Sequence, residues 1–135
     1  MATLKLEIVT PEAVTYSEDV DMVTLPGVEG EMGIFPMHVP LMTQIVAGEV
    51  SARKNGQDYF LAVGEGFVEI TGDHVAILTD MAIKATDIDE TKAEEARKRA
   101  EDRLQEKLSG EELANVSAAL AHSLAQLKVK RRTRG

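Results

Sequence analysis

The sequence contains 135 residues, of which 15 are Lys or Arg and 23 are Asp or Glu, so its formal net charge at pH 7 is −8. Its 44% hydrophobic and 28% charged residues are typical of a soluble globular protein and exclude wholesale disorder. No apolar run approaches the roughly 18 residues of a membrane span, and the start does not resemble a secretion signal. The absence of Cys excludes disulfides and thiolate chemistry, and the acidic balance argues against general nucleic-acid binding.

Charge and composition divide the chain into two parts. Residues 1–85 carry a net charge of −9 and contain every Pro and every aromatic residue, whereas residues 86–135 carry +1. Within the second part, residues 86–127 carry −4 and the last eight residues carry +5. This division predicts two domains, 1–85 and 86–135, with different secondary structure.

The first part shows the alternation and turn residues of short β-strands. Residues 4–8 alternate apolar and polar side chains, and residues 19–25 form a second such run that Pro-Gly at 26–27 is expected to end. Asn-Gly at 55–56 predicts a hairpin with a type I′ turn, and residues 71–73 predict another turn. Turns about every ten residues without intervening helix predict a mainly β, antiparallel sandwich or barrel and disfavour a parallel dinucleotide-binding sheet.

The second part has the composition of two helices. Asp87 with Glu90 predicts one helix N-terminus by capping-box spacing, and Ser109 with Glu112 predicts the next. Because their connection is short, the helices are expected to form an antiparallel hairpin. The first helix is expected to present a narrow face of Ala93, Ala96, Ala100 and Leu104. The second is expected to present Leu113, Val116, Leu120, Leu124 and Leu127, with Ala114, Ala118, Ala121 and Ala125 on an adjacent face.

The predicted contact between the helices is mostly alanine. Burying a methyl group contributes about a third of what burying a Leu contributes, at roughly 25 cal/mol per Å². Two interpretations follow, a static helical lid or an arm that opens as a moving part.

A search for catalytic chemistry finds little. His38, His74 and His122 are too dispersed for a metal motif, and no nucleophile elbow, P-loop or zinc-protease motif occurs. The glycines of 27–33 indicate tight turns, because a phosphate loop needs a following helix N-terminus. We therefore predict no catalytic residues, no metal site and no independent enzyme.

Residues 30–41 combine two Gly, two Pro, one His and several bulky apolar residues, and they are expected to be rich in loops. Exposed apolar residues with a few polar anchors are typical of a protein contact surface. Alternatively, Ile34, Phe35 and Leu41 fill the core while the prolines set the turns.

The same segment, Gly-Glu-Met-Gly-Ile-Phe-Pro-Met-His-Val-Pro-Leu, resembles the hallmark of the epsilon subunit of bacterial F-type ATP synthases. The similarity continues at 8–11, 64–70 and 87–89, in the family's order and spacing. It implies a ten-stranded sandwich followed by two helices. It also implies a non-catalytic rotor subunit of the central stalk in a proton-translocating synthase, bound to the gamma subunit and the c-ring. Such a protein is peripheral, held through its partners on the cytoplasmic face of the bacterial inner membrane.

The resemblance also implies where the c-ring contact lies. The matching segment here contains Glu31, Gly33 and His38, whose carboxylate and imidazole are expected to bond polar loops of the ring. Ile34 and Met37 are expected to add apolar contacts.

In this family the helical hairpin can extend into the alpha/beta catalytic head and block ATP hydrolysis. The basic tail is expected to engage acidic segments of the head through Lys128, Lys130, Arg131, Arg132 and Arg134. The alternative is a frayed, solvated basic terminus.

Some family members bind ATP in the folded hairpin through an Ile-Asp-x-x-Arg-Ala motif. The matching residues here are Ile88, Asp89, Lys92 and Ala93, with Arg99 further along, so Lys92 replaces the forked guanidinium. Where ATP-binding members carry an acid and two basic residues, this chain has Ile83, His122 and Gln126. We therefore expect weak or absent ATP binding and no cofactor, ATP being at most a regulatory ligand. The alternative function is an ATP-sensing binding module.

Overall fold

The computed structural model describes residues 2–134, and the side chains of residues 2–133. Ten strands precede two helices in this part of the chain, which confirms the predicted β-sandwich followed by a helical hairpin. The strands are β1 (Leu4–Val9), β2 (Val14–Val20), β3 (Met22–Gly27), β4 (Gly30–Ile34), β5 (Leu41–Ile45), β6 (Gly48–Lys54), β7 (Gln57–Val63), β8 (Gly66–Ile70), β9 (His74–Thr79) and β10 (Ala82–Lys84). A 3₁₀ turn (Ala85–Asp87) leads into α1 (Glu90–Arg103) and α2 (Gly110–Arg134).

The strands form two layers. One layer has the order β4-β3-β6-β7-β10 and the other β5-β8-β9-β1-β2, joined where Gly27 of β3 pairs with Ile45 of β5. The inward side chains of both layers make one continuous core of Leu, Ile, Val and Ala, in which Leu6, Leu25 and Ile77 are fully buried. Burial of these alternating apolar residues is the main stabilising contribution to the sandwich.

The sheet departs from the fully antiparallel expectation at one pair. β1 runs parallel to β9, with Leu6 opposite Val75 and Ile8 opposite Ile77. This pairing joins the first strand to one near the end of the domain, so no local turn signal indicates it.

Three strand boundaries differ from the sequence-based prediction. The run 19–25 is divided at Asp21, whose N–H donates to the Arg53 carbonyl at 2.7 Å and whose carboxylate accepts from the Asn55 N–H at 3.1 Å. Pro26 and Gly27 were expected to follow the strand, but they are the last two residues of β3 and pair with β4. The segment 30–41 is less rich in loops than expected, since β4 spans Gly30–Ile34, β5 begins at Leu41 and only residues 35–40 are irregular.

The predicted type I′ turn is confirmed. Asn55 has φ 53° and Gly56 has φ 78°, and residues 53 and 54 of β6 pair with 58 and 57 of β7 on either side of it. Both positive φ angles match the twist of the flanking strands.

The helix N-termini are as expected for α2 and differ for α1. Ser109 Oγ accepts from the Glu112 N–H at 3.1 Å and Glu112 Oε1 accepts from the Ser109 N–H at 3.3 Å, which is a reciprocal capping box. The cap of α1 is Asp89, which accepts from the Lys92 N–H at 3.0 Å. Asp87 lies in the preceding 3₁₀ turn, because Ile88 is buried in a small hydrophobic cluster with Ala85 and Val129 and the helix begins only after it.

The predicted leucine face of α2 is only partly buried, since Leu127 is buried, together with Ala125 of the adjacent alanine face. Leu113 and Leu124 are each 48% exposed, and the buried residues are Ser123, Ala125, Leu127 and Val129. These residues lie on two opposite sides of the helix, because α2 is covered on one side by the sheet and on the other by α1. On α1 itself, Ala93 and Ala100 of the predicted alanine face are buried.

Candidate functional site

The C-terminal half of α2 docks on the outer side of β6, β7 and the 3₁₀ turn. Glu49, Ala62 and Ile83 lie opposite one another across β6, β7 and β10, so all three side chains point to this outer side. The small Ala62 side chain permits close approach of the helix. The resulting cluster contains Ala62, Ala85, Ile88, Ala125 and Val129, with Phe60, Met81 and Ile83 at its margin.

Arg132 ties the end of α2 to the sandwich. Its Nε donates to Glu49 Oε2 at 2.8 Å, and its guanidinium lies 5.7 Å from the centre of the Phe60 ring. The Glu49 side chain is only 10% exposed, whereas that of Arg132 is 52% exposed. The carboxylate is therefore largely withdrawn from water and depends on this charge-assisted hydrogen bond.

Two other basic residues of the tail are also engaged. Arg131 pairs with Glu94 at 2.8 Å and with Glu90 at 3.6 Å, which joins α2 to α1. Lys130 Nζ donates to the Ala85 carbonyl at 3.3 Å. The tail continues α2 to Arg134, and Lys128 is exposed on the same helix.

The charged hydrogen bonds of the hairpin shift carboxyl pKa values. The Arg97 side chain, with Arg131, lowers the pKa of Glu94, and hydrogen bonds from Ser109 lower the pKa of Glu112. A lowered folded-state pKa stabilises the fold above the unfolded pKa, and this contribution disappears as the pH falls through the folded value. Acid therefore weakens both the hairpin contact and the α2 cap.

Further along, α2 contacts the β9–β10 connection. His122 Nε2 lies 3.1 Å from Asp80 Oδ1, and Gln126 Nε2 lies 3.9 Å from Met81 Sδ. A Cβ on Gly64 would stand 1.9 Å from Asp80 Oδ1 and 2.7 Å from His122 Nε2, so a side chain at this position would displace the Asp80–His122 pair.

The predicted c-ring residues lie at one end of the sandwich, in β4 and the loop after it. Glu31 and Gly33 are exposed on β4, and Met37, 85% exposed with φ 68°, occupies the loop tip. His38 Nδ1 is 2.6 Å from the Val39 carbonyl oxygen. Ile34 does not belong to this exposed surface, because it is 1% exposed and packs in the sandwich core.

Both interpretations of residues 30–41 therefore hold in part. Ile34 fills the core and Met32 packs against it, whereas the bulky residues from Phe35 to Leu41 remain exposed, together with the next residue along β5. We call this surface the loop patch; it comprises Phe35, Met37, Val39, Leu41 and Met42. The Met37 N–H donates to the Gly72 carbonyl, which anchors the loop on the β8–β9 turn.

A second exposed apolar surface crosses β8, β9, β1 and β2 on the outer side of their layer, which is the layer without the docked helix. Phe67 pairs with Leu78, Leu78 with Val9, and Val9 with Val14, so these side chains form one row, which we call the stripe. Phe67, Leu78 and Val14 are exposed. The sequence-based prediction missed the stripe, although an apolar residue at the outward positions of β8 and β9 signals it.

The residues of the possible nucleotide site lie close together along α1, but three of them have structural roles in the fold. Ile88 and Ala93 are buried in packing contacts, and Asp89 caps the helix. Lys92 and Arg99 are exposed. On α2, His122 and Gln126, which stand where ATP-binding members carry basic residues, contact the β9–β10 connection.

Within residues 2–134, no group of three or more His, Asp or Glu is arranged to hold a metal ion. Two of the histidines are instead paired with single carboxylates, His74 with Glu7 at 2.7 Å and His122 with Asp80. In the same part of the chain, neither helix is long and apolar enough to cross a bilayer.

The class of protein follows from two family models, one of which matches the β-sandwich and the other the docked two-helix arm. The model for the ATP synthase delta/epsilon chain β-sandwich domain matches residues 3–85, and the model for the long α-helix domain of the same chain matches residues 86–131. Together these matches cover both the sandwich and the helical arm.

Curated relatives narrow this class. The ATP synthase epsilon chain of Dehalococcoides mccartyi (strain CBDB1) is 45% identical over 135 residues, covering 99% of this chain and 96% of the relative. That of Herpetosiphon aurantiacus is 45% identical over 126 residues, covering 93% of each chain, and that of Alkalilimnicola ehrlichii is 39% identical over 135 residues, covering 99% and 96%. The chain belongs to the ATP synthase epsilon chain family.

Solved structures share the fold. A chain of the Euglena gracilis mitochondrial ATP synthase (OSCP/F1/c-ring) aligns with a TM-score of 0.77 at 21% identity, covering 95% of this chain and 81% of that one. A chain from the Tetrahymena thermophila central stalk/c-ring structure aligns with a TM-score of 0.64 at 11% identity, covering 94% and 96%. At these identities the similarity establishes the fold.

Proposed function

We propose that the chain is a non-catalytic central-stalk subunit that couples the catalytic head of a proton-translocating F-type ATP synthase to its c-ring. The observation that carries the proposal is the pair of exposed apolar surfaces, the loop patch and the stripe, on a sandwich whose core is otherwise complete. Membership of the epsilon chain family supports this role. The protein is then held at the cytoplasmic face of the bacterial inner membrane by its partners.

The two surfaces suit two different partners. The stripe lies on the outer side of a regular sheet, as expected for a long, rigid partner, and we assign it to the gamma subunit. The loop patch lies at one end of the sandwich beside Glu31 and His38, so apolar contact and polar anchors occur together, and we assign it to the c-ring. Copurification with gamma tests the first assignment, and a stripe variant such as Phe67→Asp is expected to abolish it.

The double substitution Glu31→Ala with His38→Ala is expected to weaken attachment of the head to the membrane sector by about tenfold, without unfolding the sandwich. The polar anchors are lost, while neither side chain contributes to the core. Retention of the head on stripped membranes at increasing salt measures attachment, and Asp102→Ala, an exposed carboxylate on α1, is the control. Unchanged membrane attachment and unchanged proton-coupled synthesis in the double variant would refute the c-ring assignment.

The helical arm is proposed to inhibit ATP hydrolysis by leaving the sandwich and entering the alpha/beta head. The four basic residues with described side chains lie along one helix end, where three of them contact the protein itself. Arm release would expose these charges to acidic segments of the head. The docked arrangement is then the non-inhibitory state.

ATP is not expected to bind the docked hairpin with an affinity better than about millimolar. Asp89 already caps α1, Lys92 lacks a bidentate fork, and His122 contacts Asp80. Calorimetric titration of the full chain with ATP should show only heat of dilution, and Lys92→Arg provides a variant with the fork restored. Micromolar affinity in the unmodified monomer would favour the ATP-sensing module instead.

A further inference from the structure

A cleft of about 400 Å³ lies between β7, the 3₁₀ turn and the last turns of α2. Phe60, Leu61 and Ala85 make its inner wall, of which Leu61 and Ala85 are buried. Tyr16 and Tyr59 add two more aromatic rings. The cleft is separate from the loop patch, from the stripe and from the possible nucleotide residues of α1.

The cleft exists because the sheet is incomplete there. Among the described strands, β10 pairs only with the Leu61–Val63 half of β7, so residues 57–60 have no ladder partner on that side. Tyr16 comes from β2, the strand at the opposite end of the sheet order, and approaches across this gap. Burial raises the pKa of Tyr16, with smaller contributions from the nearby Glu18 and Tyr59, so the phenol is neutral at physiological pH.

The charges around the cleft are unbalanced. Lys84 and Lys130 both line it, and within residues 2–133 neither ammonium group has a carboxylate within 4 Å. Among the described residues the one lining carboxylate is that of Asp58, which Arg53 holds through two hydrogen bonds of 3.0 and 3.3 Å, and this guanidinium lowers the pKa of Asp58. Lys130 Nζ also donates to the Ala85 carbonyl at 3.3 Å, but an ammonium group has three donors, so both cations can still bind an anion beside the three aromatic rings.

We propose that this cleft binds a small organic anion that has one or two aromatic rings and a carboxylate or phosphate monoester group. The rings of Tyr16, Tyr59 and Phe60 offer stacking or edge contacts to a planar ligand, and the two ammonium groups offer charge-assisted hydrogen bonds to its anion. The volume lies at the lower end of the range for small-molecule sites, which suits a ligand of this size and not a nucleoside triphosphate.

The site joins the sandwich to the arm, since Lys130 and Thr133 belong to α2 and the other lining residues do not. A ligand that contacts both parts binds the docked arrangement and shifts the equilibrium toward it. An effect on ATP hydrolysis rests on the proposed function, whereas binding itself does not.

Binding is tested by NMR titration of the ¹⁵N-labelled full chain with 2-naphthoate, 2-naphthyl phosphate and the neutral 2-naphthamide. Saturable amide shifts are expected at Tyr59, Thr86 and Thr133 with both anions. Lys84→Gln and Lys130→Gln are each expected to weaken anion binding about fivefold or more. Lys128→Gln, an exposed lysine on α2 outside the cleft, is the matched control and is expected to leave the affinity unchanged.

Equal affinity for 2-naphthamide, shifts confined to the loop patch or the stripe, or unchanged affinity in both cleft variants would overturn the proposal. Tighter binding of the naphthoate or of the naphthyl phosphate would identify which anion the site prefers. If 2-naphthoate binds and protects the α2 amides from exchange but leaves ATP hydrolysis by the assembled complex unchanged, the site stands and the inhibitory role of the arm fails.

Discussion

Gly66→Ala is expected to destabilise the sandwich by about 3 kcal/mol or more, because the added methyl group meets the backbone of a neighbouring strand. A Cβ at this position would stand 1.9 Å from the Leu78 carbonyl oxygen and 2.9 Å from the Thr79 Cα. These atoms belong to the main chain of β9, so no side-chain rotation relieves the clash. The β8–β9 ladder, which presents Phe67 and Leu78 of the stripe, must separate to accommodate the methyl group.

Urea denaturation of the isolated chain measures this effect as a change in the free energy of unfolding. Gly72→Ala is the matched control, because no atom lies within 4 Å of the added Cβ and the β8–β9 turn does not place this glycine at a positive φ. That control is expected to be neutral or slightly stabilising. Equal unfolding midpoints for the two variants would show that the strands yield at negligible cost and would contradict the close packing of Gly66 against β9.

Glu49→Gln is expected to release the arm while leaving every basic residue of the tail in place. The hydrogen bond to Arg132 loses its negative partner, and we estimate the loss at about 1 kcal/mol because Arg132 is half exposed. This corresponds to a roughly fivefold increase in the population of the undocked arm. Amide hydrogen exchange of residues 121–133 is expected to accelerate by a similar factor, whereas exchange in the sandwich core is unchanged.

In the assembled complex this substitution and a truncation are expected to act in opposite directions. Glu49→Gln should lower ATP hydrolysis, since the released tail keeps its charge, whereas deletion of residues 128–135 should raise hydrolysis, since the charged tip is gone. Glu12→Gln, in the β1–β2 connection away from the arm, serves as the control. Equal ATPase rates for the parent, the Glu49 variant and the truncated complex would eliminate the tail as an inhibitor.

The local signals in the sequence were reliable where one short segment decides its own structure. Asn55 and Gly56 form the expected turn because their φ preferences suffice, and Ser109 with Glu112 forms the expected cap because both hydrogen bonds lie within four residues. The cap of α1 is Asp89 and not the predicted Asp87. The burial of Ile88 delays the start of the helix by two residues, and only the packed structure reveals that burial.

The candidate site was less predictable, because its contacts join residues far apart in the chain. Glu49 and Arg132 are 83 positions apart and carry no joint signal in the sequence. The stripe depends on register, since Phe67 and Leu78 face outward together only once β8 and β9 are paired. Ile34 resembles its exposed neighbours in type, and only the pairing of β4 with β3 turns it into the core.

The sequence by itself determined that a mainly β domain precedes a helical hairpin, that Cys chemistry is absent and that the epsilon chain motif lies at 30–41. These properties depend on composition, periodicity and local turn chemistry, which act within a few residues. Only the tertiary structure decided which face of α2 is buried, that the basic tail is folded back onto Glu49 and Glu94, and that a cationic aromatic cleft lies beside β7. Each of these depends on the geometry with which separate elements meet, and residue order alone does not specify that geometry.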